Sequence, residues 1–194
     1  MNTLECRIPQ QLEHAVNRFL GPGSGDLNVL DLGCGTGLCG LWLRRHARHL
    51  AGIDLAPRMI TKARESKVYD ELMVQDVVQS LNEYKTDLDL IVAGDLFVYV
   101  GDMDPVFRAC REALKPAGLF VFSVESHEAN EMYLLRKTGR YAHPPAYIRK
   151  LADMSGMTEI SQDAVILRKH KGESVAGHIY VYRMAQAEQG QGER

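Results

Sequence analysis

Apolar residues in this chain come in short runs that end in glycine or aspartate, alternating with stretches where they return every three or four positions. The sharpest break is Val29-Leu30-Asp31-Leu32-Gly33-Cys34-Gly35-Thr36-Gly37. Its apolar part reads as a buried strand, its glycines as a tight turn, and Leu38 onward as a helix running to about Ala47. Ahead of it, Leu12, Ala15, Val16, Phe19 and Leu20 fall at helical spacing between Pro9 and Gly21, residue types that suit a first turn and a stop. Gly21-Pro22-Gly23-Ser24-Gly25 is then a loop.

The alternation continues. Strands are expected over 49–53, 71–75, 88–93 and 119–124, followed by or ending near Asp54, Asp76, Gly94-Asp95 and Glu125. Helices are expected from Pro57 to Glu65, briefly from Val78 to Tyr84, from an Asp104 cap with Pro105 at its first position, and from Pro144 or Pro145 to Met154. Lys115-Pro116-Ala117-Gly118 should turn the chain, whereas the polar stretch from Glu125 to His143 carries no clear period. Thr158–Leu167 and Ser174–Arg183 are β-rich, and the link Arg168–Glu173 suits an antiparallel hairpin. The sum is an α/β fold: a mostly parallel sheet with helices on both faces and a C-terminal antiparallel hairpin. We expect one domain over residues 1–184, with an N-terminal helix and loop at 1–25 and an insertion at 125–145. Residues 185–194 read as a disordered tail.

At 194 residues one domain can bury a full core without cross-links. A net charge of −2 offers no broad attraction for nucleic acid or an anionic membrane. Cys6, Cys34, Cys39 and Cys110 form no CxxC pair, as reduced thiols of a cytoplasmic protein would. The first residues lack the apolar core of a signal peptide, and no apolar run nears the roughly 18 residues that span a bilayer. No His/Asp/Glu cluster has metal-ligand spacing.

Ligands of open α/β sheets bind beyond the carboxyl ends of the strands, where strand order reverses. Acids gather at those ends here. Asp31 lies inside a strand buried on both faces, so it needs a donor, from the N–H groups of the glycine turn or from a ligand. Asp54 can accept from both hydroxyls of a ribose and can also cap the following helix. Asp76 can accept an exocyclic amino group such as adenine's, or act as a cap. Gly35-Thr36-Gly37-Leu38-Cys39-Gly40 matches G-x-G-x-x-G, which suggests a nicotinamide dinucleotide. The acid inside the strand, giving D-x-G-x-G-x-G, suits instead a ligand without pyrophosphate whose amino acid part carries an ammonium.

Val29–Gly37 resembles the first motif of the class I S-adenosylmethionine-dependent methyltransferases, and Gly52-Ile53-Asp54-Leu55-Ala56-Pro57-Arg58-Met59-Ile60 resembles their second. Asp76, Leu88–Asp95 and Leu114–Gly118 follow in the order of the later motifs, with Ala117 where glycine is usual. The resemblance covers about residues 28 to 126. It implies a Rossmann-like seven-stranded sheet ending in an antiparallel hairpin. It also implies that Gly33, Gly35 and Gly37 cradle the methionine part, Asp54 holds the ribose, and Asp76 with Val77 reads the adenine. Asp31, Cys34, Leu55 and Asp95 join these as cofactor-binding positions. Asp95–Asp102 and Gly139-Arg140-Tyr141-Ala142-His143 resemble a bacterial group of such enzymes often fused to tetratricopeptide repeats, although this chain contains no helical repeat.

The resemblance implies methyl transfer from a sulfonium, where alignment supplies much of the rate and a base is needed only for a protonated acceptor. Asp95, Tyr99, Tyr141 and His143 are the expected catalytic residues, with Glu125 and His127 nearby. Both histidines read equally as packing residues. The fourth strand is followed by Gly94-Asp95-Leu96-Phe97 rather than [DNS]-P-P-[YFW], which argues against base-amine methylation, and no Pro-Cys nucleophile suggests a cytosine-C5 enzyme. Arg44-Arg45-His46 with Arg48, and Arg168–Lys171, read as solvated faces. The expectation is a small-molecule methyltransferase, with oxygen the suggested acceptor atom and a lid formed by the N-terminal helix and the 125–143 insertion. A protein-methylating or non-catalytic cofactor-binding module and an NAD(P)-dependent oxidoreductase are the alternatives. Monomer and dimer remain equally open.

Overall fold

The structure, a computed structural model, describes residues 7–128, 131–170 and 172–186. The expected tail falls almost wholly outside the described residues, as does Cys6. Helix α1 (Ile8–Leu20) leads into β1 (Leu27–Leu32), α2 (Leu38–Leu43), β2 (Ala47–Asp54), α3 (Pro57–Glu65), β3 (Glu71–Val74), α4 (Val77–Leu81) and β4 (Leu88–Ala93). A single 3-10 turn at Phe97–Tyr99 precedes α5 (Asp104–Ala113) and β5 (Leu114–Glu125). A small ribbon of β6 (Leu134–Leu135) and β7 (Tyr141–Ala142) comes next, then α6 (Pro145–Met154) and the hairpin β8 (Met157–His170) and β9 (Glu173–Met184).

Seven strands form one sheet in the order β3-β2-β1-β4-β5-β9-β8, in which β9 runs against its neighbours β5 and β8. The remaining pairs, β1 with β2 and β4, β2 with β3, and β4 with β5, are parallel. This is the mostly parallel α/β sheet with a C-terminal antiparallel hairpin that the pattern predicts, with the seven strands and Rossmann-like form that the resemblance implies. Strand order reverses between β1 and β4, so a crevice opens at their carboxyl ends.

Both faces of the sheet are covered. On one, Leu30, Ile91, Phe120, Phe122 and Tyr180 lie under α4, α5 and α6. Phe97 and Phe107 meet Phe120 and Phe122 edge-on there, with ring centroids 5.3–6.2 Å apart, the favoured aromatic geometry. On the other face Val29, Leu50, Leu90, Val92 and Val121 pack against Ile8, Leu12 and Val16 of α1 and Trp42 and Leu43 of α2. Helix α3 sets Ile60 and Ala63 against Cys34 and Tyr69, closing the end of this face nearest the glycine turn.

Local boundaries depart from expectation for identifiable reasons. Helix α2 stops at Leu43 rather than Ala47. Arg44 folds its guanidinium back onto the carbonyls of Val68 and Arg48, 3.2 Å each, and the Asp70 carboxylate at 2.6 Å, so the chain turns straight into β2. Part of the first basic cluster is therefore tied into the fold rather than merely solvated. Asp104 is the first residue of α5, not its cap, and pairs with Arg108 at 2.9 Å, while the Asp104 N–H donates to Asp102 Oδ1. The Lys115–Gly118 turn is absorbed into β5 as a bulge, and Ala117 holds the left-handed conformation (φ 65°) that glycine adopts more easily.

Candidate active site

The glycine turn is built by β1 and held by the end of β2. Gly33, Gly35 and Gly37 have φ of 70°, 56° and 87°, a region that disfavours side chains. A Cβ at Gly33 would sit 2.8 Å from Leu96 Cδ1, whereas one at Gly35 would stand in open space. The Gly35 N–H donates to Asp54 Oδ2 at 3.0 Å, and the Ala56 N–H donates to Asp54 Oδ1 at 2.8 Å. Asp54 thus fixes both the turn and the entry to α3, whose N-cap position is occupied by Ala56. A carboxylate has about four lone-pair sites, so capacity is left for further donors.

Asp31 finds its donor elsewhere than expected. Its Oδ2 accepts from the hydroxyl of Tyr69 at 2.6 Å, not from the glycine turn. The Tyr69 ring fills the space over Gly37, Gly40 and Gly52, where a Cβ at any of the three would press on it. Asp31 is 1% exposed, and burial raises its carboxyl to about 7; the Tyr69 bond opposes that rise and the Asp54 charge adds to it. Burial likewise pushes the Cys34 thiol up, so it is held protonated. Nothing in the sequence marks Tyr69, a single tyrosine ahead of β3.

A cavity of about 250 Å³ opens over the turn. Ile8 and Pro9 of α1 and Met59 of α3 bound it, Gly33 and Gly35 form its base, and Asp95 stands at its β4 end. Asp31 and Cys34 also line it. Leu38, Met59 and Leu55 are exposed apolar residues at this end of the sheet, Leu55 at 71%. Gly37, Asp54 and Leu55 border the turn without lining the cavity. Asp76 and Val77 lie further along, at the start of α4. Asp76 caps that helix, its Oδ1 accepting from the N–H groups of Val78 (2.9 Å) and Gln79 (3.1 Å), while Val77 packs on the core.

Asp95 begins a second, charged group. It too adopts a left-handed backbone (φ 57°), and its N–H donates to Ser123 Oγ at 3.0 Å. Its Oδ1 accepts from Arg168 at 2.6 Å. Arg168 is 3% exposed, and its other terminal nitrogen pairs with Glu125, itself 2% exposed. The reading of Arg168 as part of a solvated hairpin face is therefore wrong. Strand pairing runs on to His170 and Glu173, and a bulge at Leu167 breaks the alternation, so Leu167 and Arg168 are buried in succession. Arg136 and Arg140 of the insertion approach Glu125 at 3.4 and 4.0 Å. Arg140 lies in the Gly139–His143 stretch that carries a resemblance, but neither arginine is among the expected site residues.

Of the other predicted catalytic residues, Tyr99 closes the 3-10 turn, and Tyr141 and His143 pack on the Gly101 loop beyond it. Tyr99 is 66% exposed. Tyr141 meets Tyr133 edge-on at 5.8 Å, and both rings lie against Gly101. His143 is fully buried, stacks on Tyr147, and donates from Nε2 to the Gly101 carbonyl at 2.9 Å. Burial lowers its pKa, so the ring is neutral. The Tyr147 hydroxyl donates to Asp102 Oδ1 and accepts from the Met103 N–H, each at 3.0 Å. Tyr141 and His143 thus shape the loop after β4, and neither lines the cavity over the glycine turn.

Among the described residues no His/Cys/Asp/Glu group could hold a metal ion, and no helix is long and apolar enough to cross a membrane. Residues 29–118 match the family model described as a methyltransferase domain. A ubiquinone biosynthesis O-methyltransferase of Xylella fastidiosa is 36% identical over 126 residues, 62% of this chain and 50% of that protein. The chain spans about half the length of such curated relatives. A methyltransferase structure from Methanosarcina mazei superposes with a TM-score of 0.73 at 17% identity, covering 89% of this chain and 98% of that one. The magnesium protoporphyrin IX methyltransferase of Synechocystis, solved with S-adenosylmethionine, gives 0.66 at 17% identity, covering 91% and 79%. Glycine turn, strand-end acids and sheet order agree with these likenesses: residues 29–118 match a methyltransferase domain, and the sheet around them has the Rossmann-like fold of S-adenosylmethionine-dependent methyltransferases.

Proposed function

We propose that this chain transfers the methyl group of S-adenosylmethionine to an oxygen of a small-molecule acceptor. The observation that carries the reading is the cavity over the glycine turn, whose base is glycine backbone with open space where a Cβ on Gly35 would stand, braced by a carboxylate with lone pairs to spare. A ligand with an amino acid end and a ribose fits that cradle. Gly33, Cys34, Gly35 and Gly37 would follow the methionine part, Asp31 would lie on its ammonium side, and Asp54 with Leu55 would meet the ribose. Asp76 and Val77 would meet the base. The bound cofactor supplies a methyl already activated by a positively charged sulfur, so these residues have to align more than activate. Ile8 and Pro9 exclude water from above, which supports the N-terminal helix as part of a lid.

The acceptor enters from the β4 and β5 side, past Asp95 and Tyr99. A hydroxyl acceptor must lose its proton as the oxygen–carbon bond forms. Asp95 is the acid placed to receive it, anchored through one oxygen by Arg168 and keeping acceptor capacity on the other. Tyr141 and His143 act at one remove by holding the Gly101 loop. The relative from Xylella fastidiosa, by its name an O-methyltransferase, supports oxygen as the acceptor atom. We also place the chain in the bacterial group often fused to tetratricopeptide repeats. The two stretches that carry that resemblance, 95–102 and 139–143, pack on each other here. A cytoplasmic enzyme of one domain, with no nucleic-acid or membrane partner, completes the reading. Its test is transfer of labelled methyl from S-adenosylmethionine into the small-molecule fraction of a cell extract; label found only in protein contradicts it.

A further inference from the structure

Next to Asp95, but separate from the cavity over the glycine turn, lies a second cavity of about 280 Å³ between the end of β5, the insertion and the hairpin tip. Three guanidiniums, of Arg136, Arg140 and Arg168, surround one buried carboxylate, Glu125. Their donors outnumber the acceptors. Arg168 gives its two terminal nitrogens to Asp95 and Glu125, and its buried Nε has no hydrogen-bond partner among the described residues. Arg136 donates one N–H to the Ser126 carbonyl at 2.6 Å, while its own buried Nε only ion-pairs with Glu125 Oε2 at 3.4 Å and makes no hydrogen bond among the described residues. Arg140 reaches Glu125 only at 4.0 Å. With about five donors on each guanidinium, two carboxylates of about four lone-pair sites each and a carbonyl cannot meet them all. Glu173 also lines the cavity but is exposed at the rim, where solvent screens its charge.

We propose that this cavity binds an oxyanion, a carboxylate or phosphate, carried by the methyl acceptor. Arginine forks match both groups in two-pronged geometry, and a buried donor left unpaired is costly, so an anionic oxygen at Arg168 and Arg136 completes the cluster. The Arg168–Asp95 pair, 2.6 Å long, is the wall between the two cavities. An acceptor anchored here by its charge would present its reacting oxygen across Asp95 to the neighbouring cavity. Its identification as methyl acceptor rests on the methyl-transfer reading; its affinity for an anion does not.

The test is calorimetric titration of the protein, loaded with S-adenosylhomocysteine, with benzoate, phenyl phosphate and the uncharged benzamide. The stronger of the two anions should bind at least about tenfold more tightly than benzamide, the scale of a charge-assisted pair, and which one it is separates a carboxylate from a phosphate source. Changing the partly exposed Arg136→Gln and Arg140→Gln together should abolish that preference while leaving S-adenosylhomocysteine affinity within about twofold, since neither lines the cofactor cavity. Equal binding of all three probes, no detectable anion binding, or a preference that survives both substitutions overturns the proposal. Anion binding without S-adenosylhomocysteine binding would instead remove the methyl-transfer reading and leave the anion site standing.

Discussion

Asp31 is held as a nearly dry acid between a tyrosine hydroxyl and a cavity, and its behaviour with pH follows. Its carboxyl ionises near 3.8 ordinarily and near 7 in the fold. Between those values the folded chain keeps a proton that the unfolded chain has lost, so this residue's contribution to stability falls as pH rises from about 4 to about 7 and is flat above. Asp31→Asn stays neutral and still accepts from Tyr69. Its melting temperature relative to the unsubstituted protein should therefore climb across that window; a constant gap would contradict the assignment. Asp54 makes a different prediction. Asp54→Ala should weaken S-adenosylhomocysteine binding by roughly 1.5–3 kcal/mol, the range for hydrogen bonds to a charged group, and unchanged affinity in calorimetry would refute the ribose role. Arg168→Met leaves Asp95 and buried Glu125 without their main partner. Urea unfolding should show a loss of about 3–5 kcal/mol, as for breaking a buried ion pair from one side.

At the level of elements, the strand-turn-helix around Gly33–Gly37 was readable because glycine and aspartate mark strand ends on their own. The partners of those acids were not readable, since they come from distant segments. Tyr69 reaches Asp31 only because Gly37, Gly40 and Gly52 leave room for its ring. Gly40→Ala should then cost about 1–3 kcal/mol through overpacking, measured by thermal or urea unfolding, despite alanine's better helix propensity. A neutral or stabilised variant would mean the ring has somewhere else to go. Arg168 was hidden for another reason. It reads as the first residue of the hairpin link, and neither the extension of β8 to His170 nor the bulge at Leu167 that turns it inward has a marker in the sequence. The β6–β7 ribbon was invisible for lack of period: two residues per strand are too few to show one.

For the molecule as a whole, sheet order places every strand-end acid on one side of the domain, and two cavities share the wall made by Asp95 and Arg168. The resemblance seen in the sequence concerns mostly the cofactor half, residues 29–118, which is also where the family model matches. The proposed acceptor half is assembled from the insertion and the hairpin, where Gly139–His143 is the stretch that carries a resemblance. Division of labour between the halves predicts that Tyr141→Phe and His143→Ala lower turnover and spare cofactor affinity, because both act on the Gly101 loop. Loss of cofactor binding in either folded variant would place that loop elsewhere in the site. The most direct test of the central claim is a calorimetric titration of the protein with S-adenosylhomocysteine and, separately, with NADH. The account predicts saturable binding of S-adenosylhomocysteine that depends on Asp54, and none of NADH. Binding of NADH alone would contradict it.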